Sequence, residues 1–197
     1  GKGSYLYDAD GKEYIDMGTG IGVNAFGYCD KEWVDAVTKQ LNTLQHTSNL
    51  YYSEPCANLA EILCQRTGMN KVFFSNSGAE ANECAIKAAR KYSCKKKGKD
   101  YYTIITLKNS FHGRTITTLA ATGQDAFHND FLPLTDGFAY VEANNIDELE
   151  KTVKEQKCAA IMFELVQGEG GVLPLEKEFV EKIAQIAKEQ DILMIAD

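Results

Sequence analysis

The chain has 197 residues, 44% of them hydrophobic, enough for one large domain or one and a half. A formal net charge of −7 with no basic stripe argues against nucleic acid as the main partner, and the apolar runs are far too short to cross a bilayer. The six cysteines form no C-x-x-C pair and no secretory signal precedes them, so they read as free thiols of a reducing cytosol. His46, His112 and His128 show no metal-ligand spacing.

In chain order, residues 5–7 and 13–16 flank Asp8-Ala9-Asp10-Gly11-Lys12 and predict a β-hairpin. The turn lacks the closing Glu of a calcium loop. Gly18-Thr19-Gly20-Ile21-Gly22 is not a dinucleotide fingerprint, because Val23 stands where its last glycine belongs. Residues 31–44 place Trp33, Val34, Val37, Leu41 and Leu44 at helical spacing. A second helix opens at Ser53, with Pro55 in its first turn, and stops at Gly68. Residues 46–52 between them are polar and aromatic, an ordinary connection or a loop that touches something.

Residues 72–83 read V-F-F-S-N-S-G-A-E-A-N-E. The apolar start predicts a buried strand, and Ser77 and Glu80 have the spacing of a capping box. The helix so opened runs through Ala81, Ala85, Ala88 and Ala89 to Lys95-Lys96-Lys97, with Gly98 as its stop. Its first turn, at Ser77, Gly78 and Ala79, is either a phosphate site built from unpaired N–H groups or simply a capped helix end. Residues 101–107 predict a strand ending in K-N-S-F-H-G-R, residues 115–121 a short helix, and residues 123–138 an irregular stretch. An amphipathic helix follows over 146–156, capped by Asn144 or Asn145. Then come a buried strand over 158–165, a Gly-rich loop over 166–172, a helix over 176–190 and a strand over 192–195. Strands alternating with helices imply an α/β fold with a largely parallel sheet and flanking helices. The expected division is an N-terminal segment, 1–55, with hairpin and helix, and part of a large α/β domain, 56–197. Without an initial Met, and with Asp197 directly after an apolar run, the chain reads as a piece of a longer protein.

Ligands of open α/β sheets bind beyond the carboxyl ends of the strands. Those ends supply Ser77, Gly78 and Ala79, then Phe111, His112 and Arg114, then Glu164 and Glu169, and finally Asp197. Each has an ordinary reading as well. Phe111 could be core, Arg114 a surface residue or a partner of Glu164, Glu169 a solvated loop residue, and Asp197 a cap.

S-N-S-G-A-E-A-N-E, F-H-G-R-T, E-L-V-Q-G-E-G-G-V and I-L-M-I-A-D, in this order, resemble the class III (subgroup II) pyridoxal-phosphate aminotransferases, and within them the N-acetylornithine branch. G-I-G-V-N-A-F-G and H-T-S-N-L-Y-Y-S-E-P extend the resemblance over essentially the whole chain. It implies the fold type I of such transferases, with an incomplete large domain, and pyridoxal 5'-phosphate as cofactor. Gly78 and Ala79, with Ser77 beside them, would hold the phosphate. Phe111 would stack on the ring, and Asp197 would pair with the ring nitrogen and keep it protonated. Arg114 would bind a substrate carboxylate, to which its planar fork is suited. Glu169 resembles the acidic residue that neutralises a second arginine when the amino donor is bound. Glu164 and His112 would be supporting residues. Leu165 stands where the family often has Pro, and Gly27-Tyr28-Cys29-Asp30-Lys31 where it has G-H-x-H-P.

The resemblance also implies a Schiff-base lysine and a second arginine later in sequence than Asp197. Neither is in this chain, so no catalytic residue is expected within it and the 197 residues alone are expected not to transaminate. The full-length protein is expected to be a cytoplasmic homodimer with an interfacial active site. It would pass the terminal amine of N-acetylornithine to 2-oxoglutarate, in amino-acid biosynthesis. Ornithine, succinylornithine or 4-aminobutyrate are rival donors. A non-catalytic phosphate-binding α/β module is the rival from another class.

Overall fold

In the computed structural model, which describes residues 1–197, the chain opens with an antiparallel hairpin of β1 (Tyr5–Tyr7) and β2 (Glu13–Ile15). Asp8 shapes its turn, since its Oδ1 accepts the N–H groups of Asp10 and Lys12. Gly11 takes the left-handed φ of +82° that the turn requires. A short helical turn, α1 (Thr19–Gly22), replaces any nucleotide loop at the glycine run. Helix α2 (Lys31–Thr43) is capped by Asp30, whose side chain accepts from the Trp33 N–H. Helix α3 (Glu54–Thr67) ends on left-handed Gly68, as expected, but Ser53 occupies the N-cap position without a side-chain cap bond. These elements form one of two compact units, Gly1–Val72. The expected apolar stripe of α2 is present but open to solvent, with Trp33 57% exposed.

The second unit, Phe73–Asp197, carries the parallel sheet. Helix α4 (Gly78–Lys97) buries Asn82, Ile86, Ala89 and Ser93, a stripe one side chain wide at helical spacing. Then follow β3 (Thr103–Leu107), α5 (Ile116–Ala121), α6 (Asp125–His128) and β4 (Phe138–Val141). Next are α7 (Ile146–Glu155), β5 (Cys158–Phe163), β6 (Val166–Gln167), β7 (Leu173–Pro174), α8 (Lys177–Gln190) and β8 (Leu193–Ala196). The sheet order is β4-β3-β5-β8, and every pairing is parallel.

The central strands alternate between two cores, as the pleat dictates. Ile105, Leu107, Ile161 and Phe163 pack with Leu149 and Val153 of α7 and with Phe179 and Ile183 of α8. Ile104, Ala160 and Met162 pack instead with Ile86 and Ala89 of α4 and Ala121 of α5. Small residues on this second face let α4 lie close to the sheet. The start of α4 reaches the carboxyl ends of the strands, where Asn82 bonds to Asp197 beyond β8 and to the His112 carbonyl beyond β3.

Two sequence expectations change. Residues 72–74 form no strand, and Phe73 is 64% exposed, because no neighbouring strand supplies hydrogen bonds. The stretch expected to be irregular holds α6 and ends in β4, whose four residues F-A-Y-V are too few to show a period. The cap of α7 resolves to Asn145, whose side chain accepts from the Glu148 N–H, while Asn144 accepts from the Glu176 N–H.

Candidate functional site

At the carboxyl ends of the strands lies a cavity of about 220 Å³ lined by residues from four places in the chain. Gly78, Ala79 and Asn82 come from α4, Phe111, His112 and Gly113 from the loop after β3, Glu164 from the end of β5, and Asp197 from the end of β8. A larger groove of about 850 Å³ runs along Phe73, Phe74, Cys84 and Ala88. It is the bigger hollow, and Glu80, Glu83, Lys87, Arg90 and Lys91 line it too, but its whole lining comes from one stretch, residues 73–91, and none of it from a strand end of the sheet. We therefore place the site in the smaller one.

Its centre is a three-way clamp. Asn82 Nδ2 donates to Asp197 Oδ2 at 2.8 Å and to the His112 carbonyl at 2.9 Å. His112 Nδ1 lies 2.8 Å from the same Asp197 oxygen. Burial alone would push the Asp197 carboxyl up, but the His112 and Asn82 hydrogen bonds outweigh it and hold the group below its ordinary value. An ionised Asp197 accepts only, so His112 carries its proton on Nδ1 and turns Nε2 inward, where it has no hydrogen-bond partner in the protein. The His112 backbone N–H donates to Thr122 Oγ1 at 2.9 Å, which fixes the loop to the end of α5. The site therefore presents a carboxylate that stays negatively charged.

Ser77 accepts the Glu80 N–H at 3.3 Å, and Glu80 reaches back to the Asn76 N–H at 2.6 Å, one residue earlier than a regular capping box. The Ser77 hydroxyl is thus engaged as a cap, and Ser77 does not line the cavity. Gly78 and Ala79, the first turn of α4, line it, and a Cβ added at Gly78 would meet nothing within 4 Å, so the approach to this helix start is open. Gly113 has no such freedom. Its φ is +126°, and a Cβ there would come within 2.8 Å of Ala79 Cβ, so the loop lies against the helix start only because the residue is Gly.

Phe111 is half-buried, and its N–H donates to Glu164 Oε2 at 3.0 Å. Burial pushes the Glu164 carboxyl up, more than that bond lowers it. Arg114 makes no contact with Glu164 of the kind its alternative reading required. Its guanidinium lies 5.7 Å from the Phe111 ring and 5.6 Å from the Phe127 ring. The two rings meet edge to face at 5.5 Å. Glu169 is exposed on its loop and accepts from Gln124 Nε2 at 2.5 Å.

Sequence reasoning missed Asn82, Gln124 and Phe127. Asn82 had left a signal, a polar side chain on the otherwise small and apolar stripe 82-86-89-93. Gln124 and Phe127 had none, because their importance comes from a four-residue helix that no periodicity reveals.

The family description "Aminotransferase class-III" matches residues 1–197, the entire chain. The chain belongs to the class III aminotransferases. It is 51% identical over 197 residues to the acetylornithine aminotransferase of Haemophilus ducreyi, covering all of this chain and 50% of that protein. The Methanocaldococcus jannaschii acetylornithine aminotransferase is 47% identical over 197 residues, with 49% of its length covered. The chain thus spans about half the length of the curated relatives it matches. Among solved structures, the N-acetylornithine aminotransferase of Stenotrophomonas maltophilia aligns with TM-score 0.83 at 36% identity, over 100% of this chain and 49% of that one. The ornithine aminotransferase of Toxoplasma gondii, seen with PLP at partial occupancy in its active site, aligns with TM-score 0.93 at 29% identity, over 100% and 47%. The fold expected from the sequence is the family's, and the expected pyridoxal-phosphate cofactor stands with it. Backbone similarity does not separate these family members by substrate, since the relative with the other donor superposes more closely.

Proposed function

We propose that the longer protein containing this chain transfers the terminal amino group of N-acetylornithine to 2-oxoglutarate, as a cytoplasmic homodimer. The Asp197 clamp carries this reading, because it keeps a carboxylate ionised at the floor of a small cavity. The names of the relatives favour N-acetylornithine as donor, and the T. gondii neighbour keeps ornithine as the second choice.

Pyridoxal phosphate, when bound, would supply a ring that accepts electrons as the carbon bearing the transferred amine loses a proton. The rest falls to the chain. Gly78 and Ala79 offer N–H groups and the positive end of the α4 dipole to the phosphate. Phe111 offers a flat apolar face, held in place by its N–H bond to Glu164 and by Phe127 behind it. Asp197 neutralises the ring nitrogen and holds its proton there. Arg114, resting on two rings rather than on a carboxylate, keeps its N–H donors free for a substrate carboxylate. Glu169 answers to the charge of whichever substrate is present. The proton-transferring lysine and the second arginine belong to sequence outside this chain, so the 197 residues alone are read as unable to turn over. The 46–52 linker, in which Tyr52 is fully exposed, is the proposed interface or active-site loop.

The test uses the full-length polypeptide with a panel of N-acetylornithine, ornithine, succinylornithine and 4-aminobutyrate. N-acetylornithine should give the highest kcat/KM, and Arg114→Ala should lower it for donor and acceptor. A preference for ornithine would replace the donor assignment, and unchanged kinetics in Arg114→Ala would remove that residue's role.

A further inference from the structure

Glu169 stands between Gly168 and Gly170 on an exposed loop, and its carboxylate is held by an amide rather than by a cation. Gln124 Nε2 donates to Glu169 Oε2 at 2.5 Å and to the Ser110 carbonyl at 3.2 Å. Both amide protons of Gln124 are therefore committed. One fastens the side chain to the loop that carries Phe111 and His112, and the other holds Glu169. Gln124 is half-buried at the N-cap position of α6, the helix whose Phe127 supports Arg114. One short segment thus touches both of the chain's proposed substrate-charge residues.

We propose that Gln124 is a dock for the Glu169 carboxylate, a specificity-determining positioning residue that favours the dicarboxylate acceptor over the amino donor. The proposal rests on reading Glu169 as a residue that responds to substrate charge. A dicarboxylate entering the site is repelled by any carboxylate free to approach it. A donor in the amide's position stabilises Glu169 where it is docked, while the loop backbone is held at Gly168 and Gly170, so it is rotation of the exposed Glu169 side chain that releases it when the other substrate binds. Without the dock, Glu169 samples positions closer to the incoming charge, and the acceptor is penalised more than the donor.

Gln124→Met in the full-length holoenzyme keeps length and packing but removes both donors. The KM for 2-oxoglutarate should rise about five- to tenfold, with the KM for the donor changing less than about twofold. The calorimetric Kd of glutarate, a dicarboxylate that cannot react, should rise in parallel. In a Glu169→Gln background the same substitution should leave the glutarate Kd unchanged, because no charge remains to dock. Gln124→Asn, too short to reach both partners, is the second variant and should shift values in the same direction. If Glu169→Gln alters the balance of substrates but Gln124→Met does not, the dock is overturned and the role of Glu169 stands. If Glu169→Gln alters nothing, that role fails and the dock with it. An undiminished effect of Gln124→Met in the Glu169→Gln background would assign Gln124 to support of Ser110, and also overturn the proposal.

Discussion

Replacing Asn82 by leucine tests the clamp directly. The side chain is 6% exposed and makes two hydrogen bonds from one nitrogen, to Asp197 Oδ2 at 2.8 Å and the His112 carbonyl at 2.9 Å. The first ends on an ionised carboxylate, worth about 1.5–3 kcal/mol, and losing the second strands a buried carbonyl, at a cost of about 1–3 kcal/mol. The Asp197 side chain is 27% exposed, so water recovers part of the first loss, and the expected sum is about 3 kcal/mol. Leucine shares asparagine's branched shape but is larger, so no cavity opens and any overpacking adds to the loss. The assay is urea unfolding of the chain followed by helical circular dichroism. Fluorescence would be the wrong probe, because the single tryptophan, Trp33, lies in the other compact unit. The effect should also depend on pH. Asp197 has a depressed folded-state value, so its contribution is present above the unfolded carboxylate range and is lost as pH falls through the lower folded value. The difference between the native chain and Asn82→Leu should accordingly be full near neutrality and shrink below about pH 4. A loss under about 1 kcal/mol, or one that does not vary between neutral and acid pH, would refute the clamp.

Gly113→Ala should destabilise by about 2–4 kcal/mol, read by the same unfolding assay, because its φ is +126° and the new Cβ would meet Thr118 Oγ1 at 2.6 Å and Ala79 at 2.8 Å. Glu164→Gln keeps an acceptor for the Phe111 N–H and removes a charge that burial disfavours. Since the Glu164 folded-state value is raised, its penalty begins as pH rises through the ordinary glutamate range, so the variant should gain on the native chain there and match it in acid. Cys158, with its thiol pushed up to about 11 by burial, should resist a thiol-reactive dye at mildly alkaline pH, while exposed Cys29, Cys56 and Cys94 react at once. Labelling at Cys158 in the folded chain, mapped by mass spectrometry, would contradict the buried β5.

The sequence by itself determined most of the elements, because their signals are local. Ser77 begins α4, Gly68 ends α3, and the buried run of β5 needs no partner to be recognised. It also pointed to where part of the cavity lining would gather, since ligands in this kind of sheet collect where parallel strands end, though Asn82 was not among those residues and Ser77, Arg114 and Glu169 do not line it. Phe111, Glu164 and Asp197 line one cavity with Gly78 and Ala79. Only the tertiary structure decided what binds each of them. Residues 72–74 read as a strand, but a strand needs a neighbour, and hydrogen bonds between chain segments are not written in a run of apolar residues. Arg114 was open to pairing with Glu164, and instead lies on Phe111 and Phe127. Asn82 and Asp197 stand 115 positions apart, and only the close packing of α4 on the sheet beside β8 brings one to hold the charge of the other.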